Sequence, residues 1–228
     1  MTIHKHQAGE TSSRRSPGGV VTFPAWWYDL AVRWFVMSGK EHTFRQMVAD
    51  NAQIQPGEAV LDVGCGTGTQ ALIARKIVGE RGHVCGIDPS PSLLAGASHK
   101  AKHAGLSIDF QLAGIEQIPF PDQTFDVVLS TFMLHHLPDQ VKRQGVAEMA
   151  RVLKAGGRLF LVDFVRPEAK EDHNTQFGAG EIGLQDTPSL LQVAGFERLT
   201  TGKIPFRIKS LEATHKDYGF IRAQKPLI

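Results

Sequence analysis

Three groups of residues in this chain have the types and spacing to do chemistry. The first is the run VLDVGCGTG at 60–68, where Gly64, Gly66 and Gly68 lie between an apolar stretch and a helical pattern. Glycines permit dihedrals and close backbone approaches that a Cβ would block. A strand that turns through them into a helix builds the crevice where open α/β sheets hold ligands. The second is Asp88 in CGIDPS, at the end of the next apolar run. A carboxylate there can accept hydrogen bonds from both hydroxyls of a ribose, and it follows the glycines at the roughly 20 residues expected of such a unit. Pro89 and Ser90 then open a helix. The third is the pair His135-His136, whose imidazoles titrate near neutrality and could serve as a base.

The glycine run alone leaves several classes open. A dinucleotide fingerprint, G-x-G-x-x-G, would need glycine where Thr69 stands, and the Gly-Lys-Ser/Thr of a phosphate-binding loop is absent. A hydride-transfer enzyme, or a purely structural turn, is still compatible with this one segment.

The elements that must position these residues are legible from periodicity. Apolar runs at Ala59–Val63, His83–Ile87, Ser107–Leu112, Phe125–Ser130 and Arg158–Phe164 read as buried strands. Helical patterns cover Gly68–Val78, Ser90–Ala104 and Asp139–Leu153, and Gly114–Gln123 reads as a loop. Pro188–Ala194 adds a helix, and Phe196–Thr201 and Lys216–Arg222 supply two closing strands. This alternation predicts an α/β fold: one Rossmann-like, doubly wound, mostly parallel seven-stranded sheet with helices on both faces. Before it, helices are expected over Pro24–Met37, rich in aromatics, and Glu41–Ala52. The expected organisation is a disordered tail at 1–20, a helical lid at 21–56 and the main domain at 57–228.

Composition narrows the class. The 228 residues are 42% hydrophobic and 21% charged, with a net charge of +2, as in an ordinary globular domain. No dense basic stripe with interleaved aromatics points to a nucleic-acid partner. Cys65 and Cys85 are the only cysteines, both in apolar surroundings, so neither a metal site nor a disulfide framework is expected. Free thiols suit a cytoplasmic setting. No stretch approaches the ~20 apolar residues that span a bilayer.

Taken in order, VLDVGCGTG (60–68), GIDPS (86–90), GIEQIPFPDQTFDVVLSTFMLHHL (114–137) and RVLKAGGRLFLVDF (151–164) resemble the class I S-adenosylmethionine-dependent methyltransferases. The branch they look most like makes ubiquinone and menaquinone. The resemblance spans Val60 to Phe164 and implies S-adenosyl-L-methionine as cofactor. It implies that Asp88 holds the ribose beside Pro89, and that Asp62 fixes the glycine loop or the cofactor's amino end. The backbone of Gly64, Cys65, Gly66, Thr67 and Gly68 would line the methionine portion. Gly114-Ile115 would run along the adenine, and Thr131 would sit under the methionine part. Where the family usually has Asp or Asn, this chain has Gly114, which removes one side-chain hydrogen bond at a cost of about 1 kcal/mol.

The aromatics Trp26, Trp27, Tyr28, Trp34 and Phe35 suit either a lid over an apolar or aromatic acceptor or simple packing. Tyr28-Asp29 resembles a Tyr-Asp found in family lids, which places Tyr28 among the cofactor contacts. The expected activity is methyl transfer to a small acceptor, quinone-precursor-like or otherwise. The alternatives are phospholipid amine methylation, a non-catalytic cofactor-binding scaffold and an NAD-dependent dehydrogenase. A base methylase is excluded, because its Asn/Asp-Pro-Pro-Tyr/Phe motif is missing after Val128, where the chain reads LSTFMLHHL. Arsenic methylation would need more thiols. Oligomeric state is not legible in the sequence.

Overall fold

Val60, Leu61 and Val63 are all buried, as a strand covered on both faces requires. In the computed structural model, which describes residues 39–166, 182–206, 208 and 217–227, Leu61 and Val63 point into one apolar cluster and Val60 into another. Alternate residues of a strand face opposite sides, so a continuous apolar run is the signature of a middle layer. The expected helix over Pro24–Met37, Tyr28 and the tail before them lie outside the described residues, as does 167–181.

The described elements are α1 (Glu41–Asn51), β1 (Ala59–Val63), α2 (Thr69–Val78), β2 (His83–Asp88), α3 (Pro91–His103), β3 (Asp109–Leu112) and β4 (Phe125–Thr131). They continue through α4 (Asp139–Val152), β5 (Leu153–Phe164), α5 (Thr187–Val193), β6 (Glu197–Gly202) and β7 (Tyr218–Gln224). One seven-stranded sheet has the order β3-β2-β1-β4-β5-β7-β6. The first five strands pair in parallel, and β7 runs antiparallel between β5 and β6. One cluster joins the sheet to α4 and α5 through Val146, Met149, Leu190 and Leu191. The other joins it to α1 and α2 through Phe44, Val48, Ala71 and Ala74. Among the described residues no helix is long and apolar enough to cross a membrane.

The largest departure from the expected boundaries is β5, which begins at Leu153 instead of Arg158. Leu153 pairs with Phe125, and the register then shifts so that Arg158 pairs with Val127. The glycine-containing stretch between them reads locally as a turn. It is nonetheless held to the sheet end, because Gly156 N–H donates to Lys225 O (3.1 Å) and Lys225 N–H to Gly157 O (2.9 Å). The last strand lies two residues later than expected, paired by tertiary contact with β5 and β6.

The loop from Gly114 to Gln123 has no ladder of its own, so α4 side chains hold it. Arg151 donates to the carbonyls of Phe120 (2.8 Å) and Ile118 (2.9 Å), and Glu148 accepts the Ile118 N–H (2.9 Å). Ile115 then packs into the gap left by Gly145 of α4, where a Cβ would lie 2.3 Å from Ile115 Cγ1. Gly145→Ala would raise helix propensity, but overpacking costs about 1–3 kcal/mol and outweighs that gain. The expected result is a Tm lower by about 2–4 °C for each kcal/mol lost, read by calorimetry; a Tm that rises would show the gap to be incidental.

Candidate functional site

The strand order reverses direction between β1 and β4, and ligands of open α/β sheets bind at that switch point, beyond the carboxyl ends of the strands. A cavity of about 390 Å³ opens there. Asp62, Gly64, Cys65, Gly66, Thr67, Asp88, Pro89, Gly114, Ile115, Thr131 and His136 all line it.

The glycine loop is built onto the end of β2. Gly64 and Cys65 both donate their N–H to Ile87 O (2.9 Å each), and Gly66 N–H donates to Asp88 Oδ2 (2.9 Å). Gly64 has φ of +71°, and a Cβ there would sit 2.4 Å from Met133 Cγ. Gly68, in the left-handed conformation, is the residue before α2 and faces Phe110 and Ala97 instead of the cavity. From α3, Lys100 Nζ reaches the hydroxyls of Thr67 (2.9 Å) and Thr69 (3.1 Å), bracing the loop from outside. Cys65 lies in this loop and not in a strand; burial pushes its thiol up, as it pushes Cys85 up to about 12.

Asp88 closes the same wall. Its Oδ1 accepts the Ser90 N–H (2.9 Å) as its Oδ2 accepts that of Gly66. Each oxygen keeps a further lone pair for a ligand. Burial raises its pKa, while the Ser90 and Gly66 hydrogen bonds oppose that shift. Asp62, deeper and 2% exposed, is pushed up to about 7. Burial is the main cause, the charge of Asp88 adds to it, and Arg45 and an Ala71 backbone hydrogen bond pull the other way. Its Oδ2 has no hydrogen-bond partner among the described residues, and neither has Thr131 Oγ1.

The two histidines separate. His135 is buried away from the cavity, its Nδ1 2.7 Å from Asp163 Oδ1. His136 packs against it with ring centroids 3.8 Å apart and planes tilted by 43°, and it lines the cavity. Burial, and secondarily the neighbouring His135, lowers its pKa to about 4, so it is a neutral imidazole at physiological pH. Beyond it the wall is apolar: Phe132, Met133, Leu137, Pro138 and Val141. Phe132 is a bulky residue at φ of +54°, a conformation that needs support from its surroundings. Stacking on Phe44 (5.6 Å) and Phe164 (4.9 Å) supplies it. Among the described residues no His, Cys, Asp and Glu group could hold a metal ion.

Sequence reasoning overlooked Arg45, Glu41, Gln70, Phe132 and Met133, which also line the cavity. Phe132 and Met133 stand within the quoted 114–137 segment, one and two residues past the strand end. Arg45, Glu41 and Gln70 carry no motif. Tyr28 lies outside the described residues.

Residues 60–157 match the family described as "Methyltransferase domain". The chain is 36% identical over 135 residues to the ubiquinone/menaquinone biosynthesis C-methyltransferase UbiE of Vibrio vulnificus, covering 58% of this chain and 51% of that protein. It thus spans about half the length of the curated relatives of this kind that it matches. Among solved structures, the [4+2]-cyclase SpnF superposes with a TM-score of 0.68 at 25% identity, covering 82% of each chain. A SAM-dependent methyltransferase from Aquifex aeolicus superposes with a TM-score of 0.67 at 22% identity, covering 88% of this chain and 96% of the other.

The raised pKa of Asp62 fixes a sign for stability. A carboxyl whose folded pKa exceeds its unfolded value contributes most at low pH, and that contribution is lost as pH rises through the folded value. Asp62→Asn, which keeps the shape and removes the charge, should gain stability over wild type progressively from about pH 4 to about pH 7. The gain should level off above that. Melting both proteins across this range tests it; a difference that does not change with pH contradicts it.

Proposed function

We propose that this chain, built on the class I S-adenosylmethionine-dependent methyltransferase fold, methylates a small, apolar or aromatic acceptor. The observation that carries the reading is the cavity over β1 and β4. A ribose-type carboxylate and a glycine backbone line one part of it, a buried acid with one oxygen unpartnered among the described residues its depth, and apolar side chains its other wall.

S-adenosyl-L-methionine, when bound, supplies an activated methyl group for in-line displacement. The protein's contribution is alignment and exclusion of water. In this reading Asp88 accepts the ribose hydroxyls beside Pro89. The backbone of Gly64, Cys65, Gly66 and Thr67, with Thr131, lines the methionine portion, and Asp62 faces the amino end. Gly68 acts from behind as the turn before α2. Gly114 and Ile115 flank the adenine; a Cβ at Gly114 would meet only the carboxylate end of the exposed Glu116 side chain, which is free to swing aside. The apolar wall from Phe132 to Val141 receives the acceptor, and the neutral His136 offers it a hydrogen-bonding ring nitrogen. His135, held by Asp163, positions His136 by tilted ring-on-ring packing.

A tail at 1–20, a lid at 21–56 carrying Tyr28 and a main domain at 57–228 belong to the same reading. So do a cytoplasmic setting, supported by the free buried thiols of Cys65 and Cys85, and the lack of a nucleic-acid partner. The names of the UbiE relatives support a quinone-precursor-like acceptor, while the cyclase neighbour supplies the rival that this fold can serve other chemistry.

A thermal-shift comparison tests the cofactor. Ligand at about 100 times its dissociation constant adds ~2.7 kcal/mol, roughly 5–11 °C for a domain of this size. S-adenosylmethionine or S-adenosylhomocysteine should give that shift and NADH none; the opposite pattern points to a dehydrogenase. Radiolabelled methyl incorporation into fractionated extract should then appear in the small-molecule fraction. Label in phospholipid, or cofactor binding without turnover, would replace the proposed acceptor.

Asp88→Asn should weaken S-adenosylhomocysteine by about tenfold or more, the scale of a hydrogen bond to a charged group. Both variants should lower the Tm of the unliganded protein, Asp88→Ala more: alanine removes the acceptors of Gly66 and Ser90, and asparagine turns its NH2 donor toward one of those two N–H groups. Unchanged affinity in Asp88→Asn would remove the ribose role.

A further inference from the structure

Thr69 has no part in the cofactor reading above. It stands where a dinucleotide fingerprint has its last glycine, the residue that lets helix and strand pack closely. Here it is the first residue of α2 and half-buried. Its hydroxyl and that of Thr67 both accept from Lys100 Nζ, at 3.1 and 2.9 Å. Lys100 is itself half-buried and belongs to α3.

Helix α3 meets the glycine loop at two points on one face. Residues three apart on a helix are neighbours, and Ala97 and Lys100 form such a pair. Ala97 closes on Gly68, where a Cβ would lie 2.9 Å from Ala97 Cβ. Lys100 takes the hydroxyls on either side of that glycine. An ammonium is a compact point charge with three donors, which suits two hydroxyls converging from one turn. The first limb of the loop is tied differently, since Gly64, Cys65 and Gly66 bond to the end of β2. The two limbs thus have separate anchors, β2 for the first and α3 for the second. Thr67 is 4% exposed, and both threonines line the cavity. What Lys100 holds is therefore cavity wall.

We infer that Lys100 is a positioning residue for the part of the cavity that receives the cofactor's thioether tail. From behind the wall, its ammonium keeps the second limb of the loop in the shape that accepts the tail. The ribose wall at Asp88 has its own anchors and does not depend on it. The inference rests on the cofactor reading above and adds a residue of α3 that sets affinity for one half of the ligand only.

Isothermal titration with S-adenosylhomocysteine and with adenosine, which lacks the tail, tests this. Lys100→Met should weaken S-adenosylhomocysteine by about fivefold or more, the scale of one lost hydrogen bond, and leave adenosine within about twofold of wild type. Lys100→Arg keeps the charge but spreads it over a planar fork, so it should recover only part of the loss. Thr69→Val should weaken S-adenosylhomocysteine selectively as well. In that background Lys100→Met should cost less than it does alone, the non-additivity of residues that share one contact. If Lys100→Met does not fold, selective losses in Lys100→Arg and Thr69→Val decide the matter. Unchanged affinity for S-adenosylhomocysteine in Lys100→Met, an equal loss on adenosine, or fully additive losses with Thr69→Val overturn the inference while the cofactor reading stands. A wild-type protein that binds neither ligand overturns both.

Discussion

The hydrogen bond from the Gly66 backbone to the carboxylate of Asp88 is the constraint on which the site depends. It ties the turn after β1 to the end of β2, and with the bonds of Gly64 and Cys65 to Ile87 it fixes the loop between two neighbouring strands. A glycine loop would otherwise lose order readily, since glycine gives up the most conformational freedom on folding. One carboxylate thus sets the shape of the loop and lines the cavity. That economy makes Asp88 sensitive in two ways, to charge and to geometry.

Around this joint the remaining parts serve as supports. Lys100 braces the loop through Thr67 and Thr69. Arg151 and Glu148 hold the segment that carries Ile115. The rings of Phe44, Phe132 and Phe164 keep the end of β4 in a conformation that a bulky residue does not adopt unaided. Charged side chains do the outer work and apolar ones the inner, as burial energetics would have it.

Much of this was legible in the residues. The strand-helix alternation, the glycines and the acid at the end of β2 are local patterns, and local patterns survive in a linear chain. The seven strands and the loop at 114–123 follow from them. What escaped has a common physical origin: it depends on contacts distant in sequence. The early start of β5 at Leu153 needs β7 beside it. Arg45 gains meaning only because α1 packs on the end of β4. His135 and His136 look equivalent as neighbours, yet one turn of chain sends the first to Asp163 and the second to the cavity. Cys65 follows the apolar strand run at 59–63, but the glycines on either side of it place it in the turn.

The placement of β7 between β5 and β6 has a consequence for biosynthesis. Strand β6 leaves the ribosome before β7 but joins the sheet only through it. Until β7 emerges, β5 presents an open flank and β6 has no ladder to enter. During that interval the nascent chain exposes an unpaired edge of the kind that invites aggregation, so vectorial synthesis leaves the closing of this sheet to one late event.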